Sequence, residues 1–375
     1  MSDANPLEYL QHLSQPEPPR QLGVPKVKVL GLGGGGSNAV NRMIELGVMG
    51  VEFIAANTDQ QALASSLAPT RIQLGPRITR GLGAGGDPKI GASAAMESSR
   101  EIAAVLAGAD MVFITAGMGG GTGTGAAPIA AEIAREVGAV VVAVVTMPFS
   151  FEMSKRSQSA LEGVRQIQPH THTLITVPND RLLQVVPRDL SLEIAFRIAD
   201  DVLRQGVQGI AELITRPGLI NVDFAHVREI MTRGGGAYMA IGLGKGEEKA
   251  PAAIKQALHH PLLEIDGLDS ASGVLVHFTG GEDLTLFEVG EAVNELRNVT
   301  SPDIDIILGT TTDPAMTGRA QVILIFTGVG GCPVAAAQGL DEVVIASTSQ
   351  AQNNQMEDLD LPTFLRRRTA VGSRS

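Results

Sequence analysis

The sequence predicts an α/β fold with a mostly parallel sheet, followed by a long helix and a second, smaller α/β unit. Continuous apolar runs, such as 111–114 and 139–145, are typical of parallel strands that are buried on both faces. Glycine-rich stretches at 31–38 and 117–125 each lie between such a run and a helical pattern. An apolar stripe at helical spacing covers about 190–215, and a helix of that length can run the full height of a domain.

The composition argues against several classes of protein. A chain of 375 residues is long enough for about two domains, and its net charge of −11 argues against nonspecific nucleic-acid binding. Cys332 is the single cysteine, so a disulfide framework is excluded and a reducing cytoplasm fits. No apolar run approaches the roughly 18 residues that span a bilayer, and residues 1–25 do not resemble a signal peptide. We therefore expect a cytoplasmic protein without direct membrane insertion.

The stretch 117–125 has the features of a phosphate-binding loop. Glycines let backbone N–H groups approach an anion with no Cβ in the way, and the N-terminus of the following helix adds a partial positive charge. Thr122 and Thr124 can add hydroxyl donors. A glycine turn without a ligand is the alternative, but each glycine loses conformational entropy on folding. The stretch therefore predicts a ligand that carries a chain of phosphates.

The first glycine stretch has two interpretations when it is taken alone. Gly31, Gly33 and Gly36 satisfy G-x-G-x-x-G, and a strand predicted at 51–55 would complete a nicotinamide-binding unit. Such a unit needs one phosphate loop, whereas this chain has the loop described above and another at 81–87. No G-x-x-x-x-G-K-[ST] motif occurs, so backbone N–H groups and hydroxyls would hold the phosphates. An NAD-dependent oxidoreductase remains an alternative, although we find no His and Lys constellation for hydride transfer.

Gly-Gly-Gly-Thr-Gly-Thr-Gly at 119–125 resembles the signature loop of the tubulin/FtsZ family. Four segments resemble loops of that family in the same order: 33–38, 57–59, 81–87 and 117–125. The resemblance implies a Rossmann-like parallel-sheet GTP-binding domain, joined by a long central helix to a smaller α/β activation domain. It also implies GTP or GDP as the ligand, with Mg²⁺ beside it, and head-to-tail assembly into the Z-ring filaments of bacterial division.

The likeness covers nearly all of 26–330 and the tail, and it suggests how the chain is divided. We expect a disordered N-terminal arm over 1–24, a GTP-binding domain over 25–189, a central helix over 190–216, an activation domain over 217–331, a flexible linker over 332–356 and a partner-binding peptide over 357–375.

The resemblance also implies which residues bind GTP. In the glycine-rich loops these are Gly34, Gly35, Gly36, Asn38, Gly83, Ala84, Gly119, Gly120, Gly121, Thr122, Gly123 and Thr124. Glu152 and Arg156 match positions that contact the ribose, and Asn179 matches a contact to the edge of the base. From their spacing alone, Glu152 and Arg156 favour an ordinary i,i+4 surface ion pair.

Phe196 and Asp200 lie four residues apart, on one face of the long helix. A carboxylate can accept both N1–H and N2–H of guanine, and adenine has no matching pair of donors, so Asp200 gives a physical reason for GTP over ATP. Phe196 could stack on the base or belong to the core. Because Asp201 is adjacent, either acid could instead belong to a solvated face.

The loop after the long helix carries the expected catalytic residues. It lies at the end opposite the nucleotide, so it cannot reach its own phosphates but could reach those of a stacked subunit, and such contacts generate an open filament. The family motif Asn-x-Asp-x-x-Asp corresponds to Asn221, Asp223 and His226, with histidine in place of the last acid. We expect the chain to bind GTP and to assemble, but to hydrolyse GTP more slowly, since general-base assistance typically raises a reaction rate about 10²–10⁴-fold. The alternative is a structural filament protein that binds GTP with little turnover.

The segment 358–368 combines apolar anchors with three arginines, a pattern that suits docking into a groove of a partner. The resemblance implies that it binds division proteins and membrane tethers such as FtsA, through Leu361, Pro362, Phe364, Leu365 and Arg366. A basic tail at a membrane surface is the alternative, but three arginines supply only about 3 kcal/mol. The close histidine pairs at 170/172 and 259/260 lack partners at metal spacing, so we predict no metal site built from protein ligands.

Overall fold

The computed structural model describes residues 25–184, 191–216, 218–220, 222–263, 268, 270–301 and 304–329. The predicted arm over 1–24, the linker over 332–356 and the peptide over 357–375 lie outside the described residues. The same is true of Asn221 and of the expected partner-binding residues Leu361, Pro362, Phe364, Leu365 and Arg366. The described residues all belong to one compact unit.

The strands of the described part are β1 Val27–Leu32, β2 Val51–Asn57, β3 Thr70–Gln73, β4 Met111–Gly117, β5 Val140–Met147, β6 Thr173–Pro178, β7 Gly236–Lys245, β8 Gly273–Gly280, β9 Asp305–Thr312 and β10 Arg319–Val329. The helices are α1 Gly33–Glu45, α2 Gln60–Ala64, α3 Pro76–Thr79, α4 Pro88–Glu97, α5 Ser99–Leu106, α6 Thr122–Glu136, α7 Ser154–Ile167, α8 Asn179–Leu182, α9 Leu192–Thr215, α10 Phe224–Thr232, α11 Lys249–Leu258 and α12 Leu286–Asn298.

All these strands form one sheet in the order β3-β2-β1-β4-β5-β6-β7-β10-β8-β9. Neighbouring strands from β3 to β7 are parallel, β10 is antiparallel to both β7 and β8, and β8 is parallel to β9. The predicted apolar runs form most of β4 and β5, which are buried except at Gly117 and Met147, as expected for strands covered on both faces. The predicted α/β class with a mostly parallel sheet is therefore confirmed.

The predicted long helix is α9, whose 24 residues extend over about 36 Å. It begins where Ser191 Oγ accepts a hydrogen bond from Ile194 N–H, a typical N-cap. Leu203, Val207 and Ile210 face the core. No helix within the described ranges is both long and apolar enough to cross a membrane.

Two helices begin earlier than the sequence patterns suggested. The patterns placed the first helix from residue 39 and the helix after the signature loop from residue 126, but α1 starts at Gly33 and α6 starts at Thr122. The glycine-rich residues are thus the first helical turns rather than separate loops. Their N–H groups have no partner inside the helix, because the first turn has no preceding carbonyls.

Candidate functional site

A cleft of about 360 Å³ opens at the carboxyl ends of the central parallel strands. The N-termini of α1 and α6 and the N-terminal half of α9 also border it. Crevices of this kind, at the carboxyl edge of a parallel sheet, are where open α/β folds bind ligands. The cleft collects these predicted residues: Gly34, Gly35, Asn38, Gly120, Gly121, Thr122, Gly123, Glu152, Arg156, Asn179, Phe196 and Asp200.

One end of the cleft is formed by the first turns of α1 and α6. A Cβ added at Gly34 or Gly120 would meet no atom within 4 Å, so these glycines face open space and have no packing partner there. Gly35 is different, because its Cβ would lie 3.1 Å from the Gly117 nitrogen, where the two glycine stretches approach closely. Two helix N-termini directed at one open volume suit a polyanion.

Five predicted residues do not line the cleft: Gly36, Gly83, Ala84, Gly119 and Thr124. Thr124 is buried, and its hydroxyl accepts a hydrogen bond from Gly119 N–H at 2.8 Å, so its oxygen is directed at the loop backbone. The 81–87 loop packs against Gly121, whose Cβ would lie 2.9 Å from the Ala84 Cβ. Thr124 and Ala84 therefore help to shape the glycine stretch.

The predicted ribose contacts form an ion pair that is tied to the backbone. Arg156 Nη1 lies 2.9 Å from Glu152 Oε2, and Glu152 Oε1 accepts a hydrogen bond from Phe149 N–H at 2.9 Å. Asp180 holds the same turn from the other side, because its Oδ1 accepts a hydrogen bond from Ser150 N–H at 2.9 Å. The pair thus has a defined position at the cleft, unlike a freely solvated surface pair.

Asn179 of α8 and Asp200 of α9 present acceptors to the cleft that have no partner within the described residues. Asn179 is buried and its Oδ1 has no hydrogen-bond partner. The half-buried Asp200 carboxylate forms no hydrogen bond within the described residues, and burial raises its pKa to about 7, although Arg42 acts to lower it. Asp201 instead pairs with Arg204, with Arg204 Nε at 2.7 Å from its Oδ1. The structure thereby separates the two acids, and Asp200 is the one that faces the cleft.

Phe196 is 38% exposed and meets the edge of Phe149, with ring centroids 5.5 Å apart. Phe149 is fully buried and also stacks on Phe151 at 5.0 Å. The Phe196 ring is therefore anchored by another aromatic ring while part of it remains accessible in the cleft, which fits the proposed stacking better than a place in the core.

Gly117 and Met118 of the predicted loop 117–125 also line the cleft, and sequence reasoning missed three further lining residues: Thr146, Pro148 and Ala199. Thr146 lies opposite Gly117 in the β4–β5 register, and its carbonyl accepts a hydrogen bond from Met118 N–H. The signal was available, because carboxyl ends of neighbouring parallel strands lie at the same edge of a sheet. Which strands are neighbours is a long-range property that local patterns do not reveal.

The fit of the cleft to Mg²⁺ depends on the ligands that the protein offers. In the part of the chain that the structure describes, no group of three or more His, Cys, Asp or Glu could hold a metal ion. Mg²⁺ commonly keeps several waters and binds through the phosphates of a substrate, so an ion here would be held by the phosphates of a nucleotide and by water.

The expected catalytic loop lies at the far end of α9. Asp200 and Thr215 are separated by fifteen residues of α9, about 22 Å along its axis, and the loop follows Thr215. Asp223 is the N-cap of α10, where its Oδ1 accepts a hydrogen bond from Ala225 N–H at 3.1 Å. His226 is exposed in the first turn of α10, and neither residue lines the cleft.

Sequence models identify two family domains in the chain. The Tubulin/FtsZ family GTPase domain matches residues 26–187, and the FtsZ family C-terminal domain matches residues 235–330. Among solved structures, an empty FtsZ dimer from M. jannaschii is 44% identical, with a TM-score of 0.79, over 87% of this chain and 93% of that chain. A mutant of the same FtsZ is 45% identical over 86% of this chain and 94% of that chain, again with a TM-score of 0.79.

A GTPγS-bound protofilament of CetZ2 from Haloferax volcanii is 20% identical, with a TM-score of 0.71, over 86% of this chain and 99% of that chain. At that identity the similarity concerns the fold alone.

Proposed function

The chain belongs to the tubulin/FtsZ family, and we propose that it assembles head to tail into filaments and hydrolyses GTP where two subunits meet. Membership of this family, with its GTPase domain, leaves no support for an NAD-dependent oxidoreductase. The observation that carries the proposal is the separation of the cleft from Asp223 and His226 by most of the length of α9. One subunit would bind the nucleotide and the next would supply the loop.

The cleft itself supports binding more than hydrolysis. Glu152 is paired with Arg156, and Asp200 lies at the end where we place the base, so neither carboxylate is free beside the expected phosphates. The N-terminal turns of α1 and α6 would hold the phosphates, Glu152 and Arg156 the ribose, and Asn179, Phe196 and Asp200 the guanine. Bound Mg²⁺ would neutralise part of the phosphate charge.

The loop of the neighbouring subunit would act on the attacking water. In this proposal Asp223 and Asn221 orient a water toward the γ-phosphate, and His226 stands where the family motif has its last acid. An imidazole orients water but lacks the negative charge of a carboxylate, so hydrolysis is slowed and filaments persist longer. If hydrolysis is slowed almost completely, the same proposal describes a structural filament protein with little GTP turnover.

The proposed cellular role is the one that the sequence resemblance implies. We propose that the filaments form a ring in the cytoplasm at the division site of a bacterium, and that 358–368 binds membrane tethers such as FtsA. The FtsZ of M. jannaschii, whose solved structure is a dimer, supports self-association in general. The tether and the ring rest on the sequence resemblance.

Phosphate release from GTP, measured against protein concentration with sedimentation of polymer in the same samples, tests the proposal. Release that rises steeply above a critical concentration supports a site shared between subunits. Polymer without release supports the structural filament. Release that is proportional to protein concentration, without polymer, contradicts the shared site.

A further inference from the structure

Met153 has a backbone conformation that side chains rarely adopt. Its φ is 83° and its ψ is 143°, close to a region that is essentially restricted to glycine. The preceding turn is held by the Glu152 ion pair and by the hydrogen bond from Ser150 N–H to Asp180, so its neighbours impose this conformation. Met153 is nevertheless 77% exposed, so its side chain gains little burial in the monomer.

The far end of the molecule carries an apolar pocket of about 330 Å³. Its apolar lining residues are Leu219, Ile220, Leu284, Leu286 and Val289. Leu219 is 82% exposed and Leu286 is 77% exposed, so large apolar side chains stand at its rim in contact with water. Contiguous exposed apolar surface of this kind marks an interaction site.

The two features lie on opposite sides of the molecule, as a head-to-tail contact requires. Met153 directly follows Glu152, which lines the nucleotide cleft, whereas Leu219 and Ile220 follow the C-terminal end of α9. Methionine is unbranched and adaptable, so it suits an irregular apolar cavity. A strained backbone that presents an exposed apolar side chain indicates that the side chain is used outside the monomer.

We propose that Met153 of one subunit docks into the pocket formed by Leu219, Ile220, Leu284, Leu286 and Val289 of the next copy of this chain. This inference rests on the proposed head-to-tail assembly and identifies its apolar anchor. The strain at Met153 is then retained because the side chain stabilises the filament, while the monomer gains nothing from it.

Met153→Gly tests the anchor, because glycine adopts the observed φ and ψ freely. We expect the melting temperature of the monomer to rise by about 2 °C or more as strain is relieved. GDP binding below the critical concentration should stay unchanged, while the critical concentration for GTP-dependent assembly should rise about tenfold, as loss of a buried methionine predicts. Met153→Leu, which keeps apolar bulk, should retain assembly, and Met96→Ala, at another exposed methionine, should leave assembly unchanged.

A double-mutant cycle with Leu286→Ala tests the contact itself. If Met153 docks into this pocket, the two substitutions remove the same contact. The critical concentration of the double variant should then be no higher than that of the single variant that assembles less well. The docking proposal would be overturned if the two substitutions raised the critical concentration additively, or if Met153→Gly assembled like the wild-type chain. If only Leu286→Ala raised the critical concentration, another part of the second copy would fill the pocket and the proposal would also be wrong. Failure of the wild-type chain to assemble would instead count against the proposed function.

Discussion

Asp200 is the residue whose ionisation should control nucleotide affinity. Burial raises its pKa to about 7, and only the ionised carboxylate accepts both guanine N–H groups. Nucleotide binding should therefore displace a proton at low pH. We expect GDP affinity, measured calorimetrically with monomeric protein, to be constant above about pH 8 and to fall by up to about tenfold per pH unit well below pH 7.

Asp200→Asn is the matched control, since it removes the titration while keeping the size of the side chain. Because the pKa in the folded state is raised above the unfolded value, the contribution of Asp200 to stability is present at low pH and is lost as the pH rises through about 7. The empty Asp200→Asn protein should gain melting temperature relative to wild type as the pH rises from 5 to 8. An affinity for GDP that keeps the same pH profile in the variant would show that another group titrates.

His226 is the residue whose replacement should change turnover without changing assembly. It occupies the first turn of α10, where a carboxylate would also be favoured by the helix dipole. We expect His226→Asp to raise phosphate release per polymerised subunit at least about tenfold, since general-base assistance is typically worth about 10²–10⁴-fold.

His226→Ala separates this effect from removal of the imidazole, and it should not gain turnover. Sedimentation of the same samples gives the amount of polymer for each variant. Equal release per polymerised subunit in the wild-type and His226→Asp proteins would show that His226 does not limit hydrolysis.

The contact between α4 and α6 depends on Gly125. A Cβ at this position would lie 2.0 Å from the Pro88 carbonyl oxygen and 2.6 Å from the Ala92 nitrogen, and both atoms belong to backbone. We expect Gly125→Ala to lower the free energy of unfolding by roughly 2 kcal/mol or more, measured by urea denaturation.

Gly290 in α12 provides a matched helical glycine, because a Cβ there would meet nothing within 4 Å. Gly290→Ala should raise the free energy of unfolding by about 0.5–1 kcal/mol. If both alanine variants had the same stability, close packing of α4 on α6 would not be the reason for Gly125.

The individual strands and helices show which features local sequence patterns can predict. The apolar runs predicted β4 and β5 because a strand that is buried on both faces must be apolar throughout. The starts of α1 and α6 were placed too late because glycine lowers helix propensity, whereas here it occupies first turns whose N–H groups face the cleft. Thr124 was expected among the ligand contacts, but its hydroxyl direction depends on the fold of the loop.

Long-range pairing is the part that the sequence did not reveal. Two α/β units were expected, and the structure joins their strands in one sheet through only two residue pairs between β6 and β7. Asp201 forms a local i,i+3 pair with Arg204, but that Asp200 is the acid that faces the cleft depends on the rotation of α9 against the sheet. The domain boundaries themselves remain predictions.

At the scale of the whole molecule, the two halves of the proposed catalytic site should be separable between subunits. Asp223→Asn removes the carboxylate of the loop but keeps a good N-cap for α10. Asp200→Asn leaves that loop intact and changes the base preference, because the edge of an amide presents one N–H donor beside one carbonyl acceptor. Xanthine, with N1–H and a carbonyl oxygen at C2, matches that pair, whereas the two donors of guanine do not.

Each variant alone should hydrolyse little GTP, because Asp223→Asn lacks the carboxylate of the loop and Asp200→Asn binds GTP only weakly. In an equal mixture supplied with both GTP and xanthosine triphosphate, we expect GTP hydrolysis to reappear, because the loop of an Asp200→Asn subunit meets GTP held by an Asp223→Asn subunit. Guanosine-specific phosphate release, followed with γ-labelled GTP, measures it. Only a site formed across the subunit contact can combine the intact cleft of one subunit with the intact loop of another. If the mixture polymerises but leaves GTP intact, the site therefore does not span two subunits.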